Sequence, residues 1–202
     1  MKILIISAPR CGSTSLSRAI SASTGLRKHE EPYNFYWGEL YESETIPSYD
    51  CILKCMSYEK LPKWKTAVEF LTDLSKEFTH VICLDRRNFQ EQNESFSYMR
   101  QKRYDGPWQQ PYIFDDKAKK DVDFVRDEQY LKVLKDNVHL VAKNIGIKVT
   151  YHEDIFCGDE PLFLYEMWKL GLDIDYSKAE KFVNRSNKLR IDRNSNIKSN
   201  MI

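Results

Sequence analysis

Four short runs rich in β-branched and aliphatic residues, at 3–7, 51–54, 81–84 and 147–151, are separated by long stretches with helical spacing of their apolar residues. Strands that alternate with helices imply a parallel sheet covered on both faces, an α/β fold of three layers, α/β/α, with the parallel sheet central. Helices are predicted over 14–23, 65–78, 89–102, 127–144 and 161–170, and Leu131, Leu134, Val138 and Val141 give the clearest three- and four-residue spacing. A chain of 202 residues, 42% hydrophobic and 13% aromatic, can bury one sizeable core and hardly two, so one domain over 1–202 is expected. Residues 103–123 lose the periodicity among Pro, Trp, Tyr, Gln and Lys and are expected to form a loop, either a lid over the site or a surface excursion without function. The polar, Asn-rich end of the chain, 190–202, has little to bury and is expected to be disordered.

Lysine and arginine total 31 against 30 for aspartate and glutamate, so no global field draws this chain to nucleic acid or an anionic membrane. Any anion site must be local. The five cysteines, at 11, 51, 55, 83 and 157, form no CxxC pair, and Cys55 and Cys83 fall in apolar runs, as expected of reduced thiols in a cytoplasmic protein. The apolar stretch 3–6 is too short for a signal core or a membrane span and gives way to Pro9 and Arg10, so neither export nor membrane insertion is expected.

The first strand runs into Ala8-Pro9-Arg10-Cys11-Gly12-Ser13-Thr14-Ser15 and then a helix. A turn that tight, opening a helix, gathers several backbone N–H groups and the positive end of the helix dipole at one place, which makes an anion site. Gly12 would let the backbone approach an oxyanion closely, while Ser13, Thr14 and Ser15 offer hydroxyl donors and helix caps. An ordinary Ser/Thr-capped turn is the plainer alternative. A nucleotide-kinase loop, GxxxxGK[ST], does not fit because no Gly-Lys pair occurs. A phosphatase loop does not fit either: relative to Cys11 its arginine belongs where Ser17 stands, and Arg18 comes one residue too late.

The third run ends in Asp85-Arg86-Arg87-Asn88-Phe89-Gln90-Glu91-Gln92-Asn93-Glu94-Ser95. With this second motif the chain resembles the sulfotransferase superfamily, a P-loop-like fold whose first strand ends in a PRxGST-type loop and whose third ends in an arginine followed by a helical serine. Small bacterial trehalose-type members carry a similar stretch, LxRRDxxxQAxS, which Leu84, Arg86, Arg87, Gln92 and Ser95 match and from which Asn88 and Asn93 depart. Residues 149–155, Val-Thr-Tyr-His-Glu-Asp-Ile, resemble the strand and YEDL-like segment found later in many members.

The resemblance implies a sulfotransferase that moves a sulfuryl group from the co-substrate 3′-phosphoadenosine 5′-phosphosulfate (PAPS) to a hydroxyl or amine of a small-molecule, sugar or lipid acceptor, with no metal. It places the 5′-phosphosulfate on Arg10, Cys11, Gly12, Ser13, Thr14 and Ser15, and the 3′-phosphate on Arg86 and Ser95, with Arg87 the alternative ligand. A planar guanidinium can take two phosphate oxygens in a fork, while a serine donates one bond. Residues 52–56, Ile-Leu-Lys-Cys-Met, resemble the family's strand ending in Lys-Thr-His: Lys54 matches the lysine that contacts the sulfuryl group, and Met56 stands where the histidine base would be. The base implied instead lies in Lys28-His29-Glu30-Glu31-Pro32-Tyr33-Asn34-Phe35, where members carry a Glu-Pro segment; Glu31 fits best, ahead of Glu30 and His29. The expected catalytic set is Glu31, Arg10 and Lys54, beside an aromatic mouth of Tyr33, Phe35, Tyr36 and Trp37. Two other functions match part of the pattern: a nucleotide-dependent phosphotransferase with Asp85 on magnesium, and a non-catalytic nucleotide-binding module, favoured by the missing histidine. His80, His139 and His152 lack ligand-like spacing and are expected to pack or lie on the surface.

Overall fold

β1, Lys2–Ser7, sets the frame: Ile3, Leu4, Ile5 and Ile6 are fully buried, and a strand buried on both faces has to lie inside a covered sheet. It pairs with β3, Cys51–Met56, on one side and β4, His80–Asp85, on the other. β2, Arg27–Glu30, adds to β3, and β5, Thr150–Tyr151, adds to β4, giving an all-parallel sheet in the order β2-β3-β1-β4-β5. The computed structural model describes residues 1–34, 38–41, 43, 45–105 and 124–184.

α1, Ser13–Thr24, packs on β1, β2 and β3 and buries Leu16, Ala19 and Ile20. α2, Ala67–Ser75, begins at a capping box in which Thr66 Oγ1 accepts the Glu69 amide and Glu69 returns the bond to the Thr66 amide. α3, Phe89–Asp105, and α2 both lie against α4, Phe124–Ile145, which in turn covers β1 and β4. The predicted α4 stripe divides its work: Val138 and Val141 enter the main core, whereas Leu131 and Leu134 close on Phe96 of α3 in a smaller cluster. Two more helices, α5, His152–Phe156, and α6, Glu160–Lys169, pack on each other, and a last one, α7, covers residues 176–184. Among the described residues no helix is long and apolar enough to cross a membrane.

Ser7 stands opposite Met56 on one side and Leu84 on the other, so the loops after β1, β3 and β4 leave at one level. The chain steps from β1 to one side for β2 and β3 and to the other for β4. The crevice at the end of β1 is therefore a topological switch point, where open α/β sheets bind ligands.

Four expectations need correction. Residues 27–30, outside the four predicted strands, form the edge strand β2; its Arg-Lys-His-Glu sequence has no apolar alternation, because an edge strand needs only one inward residue, His29. The run at 147–151 shortens to a two-residue strand, and α5 follows at once. α3 takes in 103–105, the start of the expected lid; 106–123, with Trp108, and the expected tail 190–202 lie outside the described residues. Tyr33 belongs to the core rather than to a mouth: it is buried and meets Phe70 edge-on at 5.1 Å, while Phe35, Tyr36 and Trp37 lie outside the described residues.

Candidate active site

The loop after β1 takes its shape from two left-handed residues, Arg10 at φ 64° and Gly12 at φ 82°, and α1 begins at Ser13. Its carbonyls are held from behind. Gln92 Nε2 donates to Pro9 O at 2.8 Å, and His152 Nδ1 donates to Cys11 O at 3.1 Å. Among the described residues nothing accepts from the amides of Cys11, Gly12, Ser13 and Thr14. A loop with satisfied acceptors and spare donors at a helix start suits an anion. The expected hydroxyl cap is absent: Gly12 is itself the N-cap, with no side-chain bond, and Ser13 is buried beneath Thr14 and Ser15 of the first turn.

Gly12 is required by packing as well as by its φ. A Cβ there would stand 2.8 Å from His152 Nδ1 and 2.9 Å from Phe156 Cε2, so α5 presses directly on the loop. Cys11 contributes its amide only, since its side chain points inward to Gln92 Nε2 at 3.0 Å and toward Asp85 at 3.8 Å. Burial first, then the Asp85 charge, push that thiol well above its ordinary value, the opposite of what a nucleophile needs.

Glu31, Lys54 and Thr14 converge beside this loop. The buried Lys54 Nζ donates to Glu31 Oε1 at 3.0 Å and to Thr14 Oγ1 at 3.4 Å. Glu31 Oε2 accepts from Tyr58 Oη at 3.1 Å and Asn34 Nδ2 at 3.3 Å. The backbone is bent to hold it there: Glu31 sits at φ 54°, its amide donates to Lys54 O at 2.7 Å, and Asn34 N closes a turn onto Glu31 O at 3.1 Å. Among the described residues, Arg10 and Glu31 are the non-glycine residues with positive φ. Such conformations cost about 1–3 kcal/mol each and gather at functional sites.

The competing bases are occupied elsewhere. His29 is buried between Glu39 and Tyr49, whose hydroxyl meets its Nε2 at 2.9 Å. Glu30 pairs with Lys28 and Arg18; burial opposes its ionisation, but the Lys28 hydrogen bond and nearby cations bring it below its ordinary value. Sequence reasoning passed over one carboxyl. Glu59, fully enclosed, accepts the amides of Met56 at 2.6 Å and Tyr33 at 3.0 Å, and burial, reinforced by the Glu31 charge, raises it to about 8.

The second motif lies at the end of β4. Arg10 Nε donates to Ser95 Oγ at 2.8 Å, which joins the motifs through residues expected to serve opposite ends of one nucleotide. Among the described residues Arg86 and Ser95 are not hydrogen-bonded to each other. Arg86 is buried and paired with Glu91, and its Nε stands 3.9 Å from Glu153 Oε1 without a hydrogen bond among the described residues. Arg87 is the exposed member. It forks onto Asp154 at 2.6 and 2.7 Å and lies 4.3 Å over the Tyr151 ring. Glu153 accepts the amides of Arg87 and Asn88 at 3.0 and 3.1 Å, so α5 braces both motifs, and His152 packs on Phe156 and Gly12, as expected, while also holding the Cys11 carbonyl. Asp85 is buried with one oxygen on Lys135 at 2.8 Å and the other on His139 at 2.9 Å.

The chain matches no protein-family model and no curated protein. What the site can do follows from its side chains. It offers spare amides for an anion, a buried ammonium beside them, and a carboxylate within reach of that ammonium. These are the parts needed to hold a charged group, neutralise charge that develops on it, and accept a proton from an incoming nucleophile.

Proposed function

We propose that the protein is a sulfotransferase that passes the sulfuryl group of PAPS to a hydroxyl or amine acceptor by in-line displacement, on a P-loop-like fold. The observation that carries the reading is the meeting of Glu31, Lys54 and Thr14 at 3.0 and 3.4 Å beside a loop with spare amides. In the reaction the acceptor oxygen or nitrogen bonds to sulfur, the bond from sulfur to the bridging phosphate oxygen breaks, and Glu31 takes the acceptor proton. The loop amides and Arg10 bind the phosphosulfate and offset the charge left on the departing bisphosphate. Lys54 faces the sulfuryl oxygens. Because Arg86 is enclosed by carboxylates, recognition of the 3′-phosphate passes to the exposed Arg87 with Ser95.

The phosphotransferase alternative is weakened at its strongest point, since both Asp85 oxygens are engaged by Lys135 and His139. Thermal unfolding with adenosine 3′,5′-bisphosphate, and separately with ATP and magnesium, tests the choice. Stabilisation by the bisphosphate alone, together with transfer of label from PAPS to an acceptor, is expected. Stabilisation by ATP and magnesium alone sinks the reading, and bisphosphate binding without turnover points to a binding module.

A further inference from the structure

Glu31 holds a strained backbone angle that its own side chain does not enforce. Its carboxylate meets Lys54 Nζ, Tyr58 Oη and Asn34 Nδ2, all at the ends of flexible groups. A left-handed non-glycine residue persists only where its surroundings over-determine it. Besides the Glu31 amide bond to Lys54 O and the Asn34 amide bond to Glu31 O, the turn after Glu31 is held by a buried side chain, Glu59. This carboxyl, 1% exposed, takes the Met56 amide at the end of β3 with one oxygen and the Tyr33 amide, two residues past Glu31, with the other. The same side chain therefore ties the strand that carries Lys54 to the turn that carries Glu31.

We propose that Glu59 is the positioning residue for Glu31: its buried carboxyl bridges the end of β3 and the 31–34 turn and so keeps Glu31 beside Lys54. The inference rests on the reading of Glu31 as the base. Glu59 touches neither donor nor acceptor; it acts through backbone amides. The charged and titratable groups that face it are Glu31 and Tyr33 from the turn and Lys54 and Cys55 from β3. Burial and the Glu31 charge favour its protonated form, and in either form each oxygen keeps a lone pair for its amide.

Two substitutions separate bridging from the mere presence of a carboxyl. Glu59→Gln turns an NH₂ toward one of the two amides, and Glu59→Asp keeps a carboxyl but is too short to span both. In both variants the Tyr33 amide should exchange with solvent at least about tenfold faster while Ile5 and Leu53 amides keep their protection. Bisphosphate affinity should stay within about twofold. The rate on PAPS, followed by its hydrolysis if no acceptor is in hand, should fall roughly 10- to 100-fold at unchanged donor KM, since a misplacement of about 1 Å costs on the order of 10² in rate. An unchanged Tyr33 exchange rate overturns the proposal. So does loss spread evenly over the strand amides together with loss of bisphosphate binding, which would make Glu59 a general support of the fold. A wild-type protein that neither binds bisphosphate nor consumes PAPS breaks the sulfotransferase reading instead, and the exchange measurement still decides what Glu59 holds.

Discussion

The two halves of the site differ in how their charges are matched. Beside the loop after β1, donors are in surplus: the amides of residues 11–14 have no acceptors among the described residues, and Lys54 shares itself between one carboxylate and a hydroxyl. At the end of β4 the accounts are closed. Arg86 faces Glu91 and Glu153, Arg87 forks onto Asp154, and the Arg87 and Asn88 amides fall on Glu153. An anion arriving at the loop of the first half meets amides with no acceptor among the described residues, whereas one arriving at the second must compete with carboxylates for the same donors. Affinity should therefore come mainly from the first half and discrimination from the second.

The largest expected effect falls on the first half. Glu31→Gln should keep bisphosphate affinity and lower the transfer rate by roughly 10² to 10⁴. Single-turnover kinetics with labelled PAPS measure it, and near-normal turnover would show that the reaction needs no base at this position.

A second measurement contrasts the halves by pH. Glu59 is raised from an ordinary 4.5 to about 8, so its contribution to stability is fully present below pH 4.5 and lost as pH rises through 8. Each tenfold in proton affinity is worth about 1.4 kcal/mol, so the loss is roughly 5 kcal/mol if the whole change acts. Glu153 has the opposite sign: burial disfavours its charge, but the Arg87 and Asn88 amides outweigh burial and leave it below its ordinary value. Its contribution is present above that ordinary value and lost as pH falls through the lowered one. Urea unfolding of wild type, Glu59→Gln and Glu153→Gln across pH 3 to 9 should give difference curves that slope in opposite directions; parallel curves would erase the contrast.

The smallest effects separate the two arginines. Arg87→Ala should weaken bisphosphate binding about 10- to 150-fold, the equivalent of 1.5–3 kcal/mol for a charge-assisted bond, while Ser95→Ala should cost about 2- to 13-fold. Neither should alter binding of adenosine 5′-phosphosulfate, which lacks the 3′-phosphate. Arg86→Ala should act chiefly on stability, by about 1–3 kcal/mol, because it takes a buried guanidinium away from the half-buried carboxylates of Glu91 and Glu153. Titration calorimetry with both nucleotides decides: if Arg86→Ala rather than Arg87→Ala loses the bisphosphate, the second half opens to ligand after all.

The central strands and the first loop were legible because their signals are local. Ile3 to Ile6 read as a buried strand, and residues 8–15 as a tight turn that opens a helix, from residues adjacent in sequence. Lys54 and Glu31 were legible only through resemblance, and the structure places them in contact. What escaped was set by partners far along the chain. Glu59 earns its role from an amide 26 residues away, and Glu153 from one 66 residues away. β2 escaped because its pattern comes from the edge it occupies, not from its four mostly charged residues. α5 escaped because His-Glu-Asp-Ile-Phe continues an extended run in sequence, and only its packing on Gly12 and its bonds to residues 87 and 88 give it a reason to coil.

The pressure of α5 on Gly12 also sets how the loop could be reused. Moved into another parallel sheet as a continuous stretch of residues 8–15, it would lose the imidazole that holds the Cys11 carbonyl from 141 residues away. It would also lose the phenyl ring that lies against the glycine. With Gln92 of α3 on the Pro9 carbonyl, the smallest transplantable unit is thus three separate pieces of chain, and a designer who grafts only the first should recover the sequence of the loop without its shape.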